Sequence, residues 1–375
     1  PNYYNLGGIT ATHLSDHLSE LVEITLEGLA NSHCITIDDD TQVAPANLGR
    51  IAAYYNISCT TIETFSSALQ ATTKLQGLLE ILCAAAEFED LAVRHHEEGV
   101  LRRIAHHVPY KLHNERFDLP LAKCHVLIQA HFSRLQLPPD LASDQARILG
   151  KMIPLIQATV DIVSTEAWLK PALAAMELSQ MVVQSQWESE PVLRQVPHFS
   201  KPVVKRAQSL GVNSVFEIAE MDDEQRQALF AGLNPRQVAD VADFVNHYPE
   251  IDLQFELTDG NTLVAGGNPP AVRDIGPVIA RYFPFTKPEG WWAVLGDTGT
   301  QTLAAIRRVG FQQRLNLKLG FTAPDQPGDY TYKLFLMSDA YLGCDQEYEV
   351  KFLVVPDDEA DSESEAESNG SENSE

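Results

Sequence analysis

The residues with the clearest potential for metal chemistry are histidines beside glutamates, in the run HHEE at residues 95–98. A zincin motif, HExxH, places its two histidines one helical turn apart on one face of a helix. Neighbouring residues on a helix point about 100° apart, so His95 and His96 cannot share one metal ion there. His106 and His107 have the same spacing. The sequence therefore predicts no metal site.

Other catalytic constellations are missing from the sequence as well. It contains no GxxxxGK[ST] loop, which would cradle a triphosphate on backbone amides. It also contains no GxSxG nucleophile turn and no GxGxxG dinucleotide fingerprint. Paired acids such as Asp222-Asp223 carry little specificity in so acidic a chain, and solvation explains them. We predict no catalytic residue and no cofactor.

Cysteine use and hydropathy narrow the class of protein. The five cysteines lie far apart and form no CxxC pair, which indicates buried thiols in a reducing compartment. No apolar run reaches the roughly 18 residues that a membrane span needs, so no membrane partner is expected. Because the chain begins with Pro1 rather than Met, we expect it to be a piece of a longer protein.

The charge balance favours protein partners over nucleic acid. The formal net charge is −25, and residues 356–375 hold nine acids and no base, which leaves −16 on the remainder. Such a body repels a phosphate backbone unless its cations are strongly segregated. Basic residues cluster only briefly, at 102–103, at 201–206 and at 307–308. A solvated face is the simpler interpretation of each cluster.

The first half of the chain has helical periodicity. Residues 13–33 form an amphipathic helix in this interpretation, and a small β-ribbon follows at residues 35–44, which together are the closing half of a winged helix. Residues 47–191 are predicted to be a helical bundle, with Thr60 or Thr61 capping one helix. Pro154 lies inside a long predicted helix at 141–168 and predicts a kink there.

The second half changes from short helices to strands. Residues 192–249 read as a helix–loop–helix segment in which Asp222 caps one helix and Pro235 starts the next. Such a segment often binds nucleic acid, but its acidic first turn favours a structural role. From Ile251 the apolar period becomes two, and several short strands across residues 250–355 predict an antiparallel β-sandwich. The fold class is therefore α+β and multidomain.

Two features of the C-terminal part are candidate binding or modification sites. Neighbours on a strand face opposite sides, so of Trp291 and Trp292 we expect one in the core and the other exposed or at a domain junction, as a candidate anchor for a protein partner. Ser362 and Ser364 each precede an acid by three residues, which is typical of acid-directed kinase sites. We predict their phosphorylation within a disordered acidic tail at residues 356–375.

Several local runs resemble one family. Trp291-Trp292 and MSDAYLGCDQE at 337–347 resemble the end of the Sec63-type unit of large spliceosomal helicases. The runs at 47–55, 84–89, 93–98, 127–132 and 168–178 (NLGRIAAYY, AAAEFE, VRHHEE, LIQAHF and WLKPALAAMEL) are similar to segments of Ski-two-like RNA helicases. Together they resemble the second, C-terminal cassette of the Brr-two group more than its first cassette.

This resemblance implies an architecture, a function and partners. The implied domains are a winged-helix remnant (1–46), a helical bundle (47–191), a helix–loop–helix (192–249) and an immunoglobulin-like or fibronectin-III-like sandwich (250–355). The implied parent is a nuclear, ATP-dependent RNA helicase that unwinds paired small nuclear RNAs in pre-mRNA splicing. The second cassette of this family is regarded as a poor motor that modulates the first cassette and docks spliceosomal proteins.

The resemblance also suggests an alternative function, and the sequence differs from the family pattern at one strand. The helix at 141–168 corresponds to the family's ratchet helix, where Arg147 and Lys151 are candidate weak RNA contacts. The rival function is therefore an RNA-guiding module acting through the bundle and the helix–loop–helix. Between Leu257 and Trp291 the family carries another strand, whereas residues 258–270 are rich in turn residues here. We expect that sandwich strand to be truncated or lost.

Overall fold

The computed structural model describes residues 11–38, 42–112, 116–258, 262–268, 276–310 and 315–355. Its chain divides into two compact units. The first unit consists of residues 1–130 and 137–163, and the second unit consists of residues 131–136 and 164–375. Ser362 and Ser364 lie outside the described residues, so their phosphorylation stays a prediction.

The first unit is predominantly helical. Its elements, of which α6 and α7 continue into the second unit, are α1 (Ala11–Asn31), β1 (Ile35–Asp38), β2 (Gln42–Pro45), α2 (Asn47–Tyr55), α3 (Cys59–Ala68), α4 (Leu75–Cys83), a 3-10 turn (Ala86–Phe88), α5 (Glu98–His107), α6 (Pro120–Phe132) and α7 (Pro139–Thr165). The predicted helix and ribbon at the start are confirmed. The predicted cap of α3 is wrong, because Ser58 occupies the N-cap position and Thr60 and Thr61 lie inside the helix.

The core of the first unit gathers the apolar faces of α3 to α7. Ile62, Phe65, Leu78 and Met152 are each fully buried. By length and composition α7 is apolar enough to cross a membrane, and 56% of its most apolar stretch is buried inside the protein. By contrast, α1 and the β1–β2 ribbon leave large apolar side chains exposed: Leu14, Leu21, Val22, Ile24, Ile37 and Val43. Within the described residues, α1 and the ribbon therefore do not cover their own apolar faces.

The second unit combines short helices with two sheets. Its helices are α8 (Leu169–Gln184), a 3-10 turn (Val192–Gln195), α9 (Lys201–Ser209), α10 (Val215–Glu220), α11 (Asp223–Leu229) and α12 (Pro235–His247). The predicted cap at Asp222 is confirmed, since its side chain accepts a hydrogen bond from the Gln225 N–H in a capping box. Pro235 is confirmed at the start of α12.

The strands form two antiparallel sheets. They are β3 (Asp252–Thr258), β4 (Thr262–Asn268), β5 (Trp291–Asp297), β6 (Thr302–Val309), β7 (Leu315–Gly320), β8 (Gly328–Ser338) and β9 (Gln346–Val354). The strand orders are β3-β4-β7 and β6-β5-β8-β9. Leu263 and Leu317 from one sheet share a hydrophobic core with Leu295 and Leu334 from the other. The mixed α+β class is confirmed in this coarse form.

Two of the sequence predictions about strands need correction. The strand expected to be lost is present as β4, which pairs with both β3 and β7. Gly266 and Gly267 break its apolar alternation, so the hydrophobic period could not reveal it. The apolar period does not reveal β6 either, because Arg307 and Arg308 lie near its end.

The expectation that one tryptophan of the pair is exposed is also wrong. Trp291 and Trp292 are 0% and 2% exposed. β5 is an interior strand, so neither edge is free, and Ala293 and Leu295 face the core between the sheets. The opposite face of β5 packs on α8, where a Cβ on Gly296 would lie 2.8 Å from Leu169. With both faces covered, neither ring can serve as an exposed anchor.

Candidate protein-docking site

The signature segment, residues 337–347, is a structural hub of the second unit. Ser179 on α8 donates a hydrogen bond to the Asp339 carbonyl (2.7 Å), and Gln184 donates to the Ala340 carbonyl (3.0 Å). Between them, the Gln180 amide donates to the Ser338 carbonyl (2.8 Å). Three polar residues on one face of α8 thus fix the connection between β8 and β9.

A second group of contacts joins the signature segment to the helices that follow α8. Gln195 and Leu342 exchange two hydrogen bonds, of 2.7 Å from the Gln195 amide and 3.1 Å from the Leu342 N–H. The buried Tyr248 hydroxyl donates to the same Leu342 carbonyl (2.6 Å). Gly343 has a φ of +81°, in the left-handed region, and a Cβ there would lie 2.7 Å from Val192. These residues therefore have internal structural roles.

The acids of the signature segment are likewise used internally. Asp339 forms a 2.6 Å ion pair with Lys287, and its other oxygen accepts the Gly290 N–H (3.0 Å). Burial raises the pKa of Asp339, although Lys287 and Arg308 oppose the shift. Burial raises the pKa of Asp345 to about 6, against hydrogen bonds from Gln180 and the Ser338 N–H. These perturbed acids stabilise the hub rather than face an open cleft.

A second buried ionic network occupies the first unit, and we call it the Lys123 network. Lys123 is fully buried, and its Nζ donates to Glu97 (2.7 Å), Asp144 (2.6 Å) and the Ala92 carbonyl (2.9 Å). Arg94 pairs with both carboxylates from the rim of the network. Burial would raise the pKa of Glu97 and Asp144, but hydrogen bonds from Lys123 and Arg94 outweigh it and lower both. Glu97, which stood in the metal-like run of the sequence, is therefore an ion-pair partner.

The remaining predicted contact residues lie apart from these networks. Arg147 is half exposed on α7 and forms an ion pair with Asp90, and Lys151 is exposed one turn further along. His95 and His96 are exposed. Among the residues that the structure describes, no group of three or more His, Cys, Asp or Glu side chains could hold a metal ion.

The second unit also contains an open groove made of two adjoining cavities. The first, the cationic cavity, has a volume of about 240 Å³, and the second, the mixed cavity, of about 490 Å³. They share Pro197, His198 and Arg281 in their walls. The cationic cavity is also lined by Arg134, Arg194, Lys201 and Tyr282. The mixed cavity adds Arg236, Asp240 and Asp243 of α12.

Backbone carbonyls hold the cationic cavity in shape. Arg134 donates to the carbonyls of Ser185 (2.8 Å), Arg194 (2.9 Å) and Gln184 (3.1 Å). Its guanidinium carbon lies 4.4 Å from the centre of the half-exposed Tyr282 ring. Burial, together with the charge of Arg194, lowers the pKa of Arg134 to about 10. The cavity therefore holds a positive charge at neutral pH in a partly desolvated setting.

A histidine links the two cavities. Arg281 donates to Nδ1 of His198 (3.2 Å), so the neutral tautomer of His198 carries its proton on Nε2 and donates to Asp240 (2.6 Å). The groove is thus cationic at one end and contains acids at the other. The groove could not be predicted from the sequence, because Arg134, Arg194 and Arg281 are separated by long stretches of chain. The only local signal was Lys201 within a short basic cluster.

Comparisons with known proteins place these features in a family context. A family model described as Sec63 Brl domain matches residues 45–351, and a Winged Helix-turn-helix domain model matches residues 1–39. The chain is 51% identical over 372 residues to the U5 small nuclear ribonucleoprotein 200 kDa helicase of Homo sapiens, covering 97% of the chain and 17% of that protein. To the Drosophila melanogaster protein of the same name it is 50% identical over 379 residues, covering 98% and 18%.

A plant relative shows a similar relation. The chain is 46% identical over 362 residues to the DExH-box ATP-dependent RNA helicase DExH12 of Arabidopsis thaliana, a match that covers 93% of the chain and 17% of that protein. The chain therefore spans less than a fifth of the length of these relatives.

Proposed function

The chain belongs to the Sec63 Brl domain family, and from this premise we propose that it is a non-catalytic protein-interaction and regulatory unit of a spliceosomal RNA helicase. The parent, like the relatives named as helicases, would supply ATP-dependent unwinding from modules outside this chain. Its setting would be pre-mRNA splicing in the nucleus. Its partners would be spliceosomal proteins and the helicase cassettes of the same parent.

One observation supports this proposal most strongly. Within the described residues, the buried acids of the hub and of the Lys123 network have perturbed pKa values, and their carboxylates are engaged in internal ion pairs and hydrogen bonds. A catalytic site would instead present such groups in an accessible cleft. The groove of the second unit is open but carries arginines, a lysine and two acids around a small volume. That composition suits recognition of a charged segment.

The domain boundaries are part of the same proposal. We propose that residues 1–46 are a winged-helix remnant, which accords with the exposed apolar side chains of α1 and the ribbon. We also propose that residues 47–191 act as a bundle, 192–249 as a helix–loop–helix and 250–355 as an immunoglobulin-like sandwich. The common core of the two sheets supports the last assignment.

The proposal is tested by binding and ATPase measurements on the intact chain. We expect immobilised chain to retain purified spliceosomal proteins at physiological salt, with cross-links mapping to the second unit. We expect no ATP hydrolysis above background, with or without RNA. ATPase activity that is lost on substitution within this chain would overturn the non-catalytic assignment.

RNA guiding is the second candidate function, and one observation favours it. Lys201 and Arg236 line the groove from α9 and α12 of the helix–loop–helix segment, where family analogy places RNA. Affinity for single-stranded RNA across a salt series tests it, because counterion release predicts a steep loss of affinity as salt rises. Absence of RNA binding at low salt would exclude this function.

A further inference from the structure

We propose that the groove of the second unit binds a peptide segment in which a phosphorylated serine or threonine is followed by basic residues. The phosphate would occupy the cationic cavity, and the basic residues would lie against the acids of the mixed cavity. This inference rests on the proposed protein-interaction function, for which it names one surface and the chemistry of its partner.

The cationic cavity concentrates positive charge in a small volume. Arg134, Arg194, Arg281 and Lys201 line about 240 Å³, in a chain whose net charge is −25. Arg194 is neutralised by an ion pair with Glu190. Neither Arg281 nor Lys201 has an ion-pair partner among the described residues. An anion would therefore gain interactions with cations that no carboxylate already occupies.

The geometry of Arg134 suits a phosphate group. Three carbonyls and the Tyr282 ring orient its guanidinium, so ordering this side chain on binding costs little. Guanidinium groups bind phosphate through paired N–H donors, which gives such contacts both strength and direction. Clusters of arginine are a recurrent solution for recognising phosphorylated segments. The lowered pKa of Arg134 is consistent with an excess of cations in the cavity.

The acids of the mixed cavity select the peptide residues that follow the phosphorylated one. Asp240 and Asp243 line this cavity beside Arg236, and both carboxylates are about half or more exposed. His198 donates to Asp240, and His247 contacts Asp243, and both carboxylates still face solvent. The acids retain negative charge, so lysine or arginine side chains of a peptide would be favoured there.

The same arrangement disfavours RNA. A nucleic-acid strand would place successive phosphates along the groove and bring some of them beside Asp240 and Asp243. The cationic cavity is also smaller than the roughly 300–1,000 Å³ of ordinary small-molecule sites, so it fits one anionic group better than a nucleotide. The Tyr282 ring is already stacked with Arg134 and offers no free platform on that face for a base.

Fluorescence anisotropy with the intact chain tests the proposal. The probe is a short fluorescein-labelled peptide with one phosphoserine followed by two lysines. We expect saturable binding that weakens about tenfold in Lys201→Glu and in Arg281→Glu, because each loses a charge-assisted contact. The matched control is Lys205→Glu, which makes the same charge change one turn along α9 outside the groove. It should retain affinity within about twofold, since its charge is screened by solvent.

Further probes separate the possible sources of the anion. We expect weaker binding of the unphosphorylated peptide, of a version with glutamates in place of the lysines, and of a phosphorylated copy of residues 358–368. That copy carries the phosphate without following cations. Equal affinity for the all-acidic peptides would contradict the role given to the mixed cavity. Tighter binding of oligouridine, weakened by Lys201→Glu, would contradict the peptide assignment and favour RNA.

Thermal unfolding of each variant shows whether its fold is intact. Lys201 and Arg281 are exposed, so we expect unchanged midpoints. If all phosphopeptide probes fail while purified spliceosomal proteins still bind the chain, the groove assignment is wrong and the proposed function stands. If the purified spliceosomal proteins also fail to bind, the proposed function is wrong as well as the groove assignment.

Discussion

The two units each bury a lysine among carboxylates, but the carboxylates respond in opposite directions. In the first unit Lys123 contacts two acids and a carbonyl, and the pKa values of Glu97 and Asp144 are lowered. In the second unit Lys287 contacts Asp339, whose pKa is raised by burial. Ion pairing thus dominates the pKa of the buried carboxylates in the Lys123 network, whereas desolvation dominates that of Asp339.

The largest effect should come from removing the lysine of the first unit. Lys123→Met leaves Glu97 and Asp144 with Arg94 at the rim, and the side chains of these acids are 3% and 12% exposed. Breaking a buried ion pair in this way costs about 3–5 kcal/mol of unfolding free energy. Urea unfolding would measure the loss, with the exposed Lys151→Met as control. A loss below about 1 kcal/mol would show that the network is not a major stabilising element.

Removing the lysine of the second unit should cost less. After Lys287→Met, Asp339 can take up a proton, because burial already raises its pKa, and the Gly290 N–H still donates to it. We expect a loss of about 2 kcal/mol, typical of a buried polar group that keeps some partners. The same urea measurement applies. A loss equal to that of Lys123→Met would contradict the distinction between the two units.

The stability of the two units should also respond differently to acid. Burial lowers the pKa of His125 in the first unit to about 4, so its unfolded form takes up a proton first as the pH falls below 6.5. Its contribution to stability is complete above that pH and is lost toward pH 4. Between pH 7 and pH 5, protonation of His125 in the unfolded state lowers the free energy of unfolding by roughly 2 kcal/mol.

The second unit contains titratable groups whose protonation changes its stability in opposite directions over the same pH range. Burial lowers the pKa of His131 to about 4, which again favours unfolding in acid. Burial raises the pKa of Glu177 to about 7 and that of Asp345 to about 6, so these folded carboxyls gain protons before their unfolded forms. Acidification therefore stabilises the fold through these two acids and offsets His131.

Hydrogen exchange at pH 7 and pH 5, corrected for intrinsic rates, would compare the two units. We expect protection of α4 and α5 to fall more than protection of α8 and β8. Glu177→Gln with Asp345→Asn should remove the compensation in the second unit. An equal loss of protection in both units of the unaltered chain would show that the two acids do not provide it.

The smallest effect should come from an exposed ion pair. Arg147 and Asp90 are 51% and 70% exposed, so solvent screens their attraction. We expect Arg147→Ala to change the unfolding free energy by about 0.5 kcal/mol or less. A double-mutant cycle with Asp90→Ala measures the coupling. A coupling comparable to that of the Lys123 network would contradict the importance given to burial.

Local chemistry made part of the fold predictable. The Asp222 side chain can cap a helix, and the fixed φ of Pro235 suits the first turn of a helix. The starts of α11 and α12 could therefore be predicted from the sequence. β4 could not, because its stability comes from pairing on both sides rather than from its own apolar alternation. The burial of Trp291 and Trp292 depends on α8 and the second sheet, which strand periodicity does not describe.

The charged sites were less predictable than the helices and strands. Lys123 stands on an apolar helix with nothing beside it in sequence to indicate two acidic partners. The cations of the groove come from residues 134, 194, 201 and 281, and only tertiary structure brings them to one cavity. Their individual sequence contexts resemble those of ordinary surface residues.

The hub also sets an order of events during synthesis of the protein. Ser179 and Asp339 are 160 residues apart, and Gln195 and Leu342 are 147 apart. At about 5–20 residues per second, the ribosome needs roughly 7–30 seconds to deliver the second partner after the first. During that interval the amides of Gln180, Gln184 and Gln195 on the nascent chain lack their final acceptors. Native packing of the second unit must therefore wait for one of the last segments of its β-sheet to emerge.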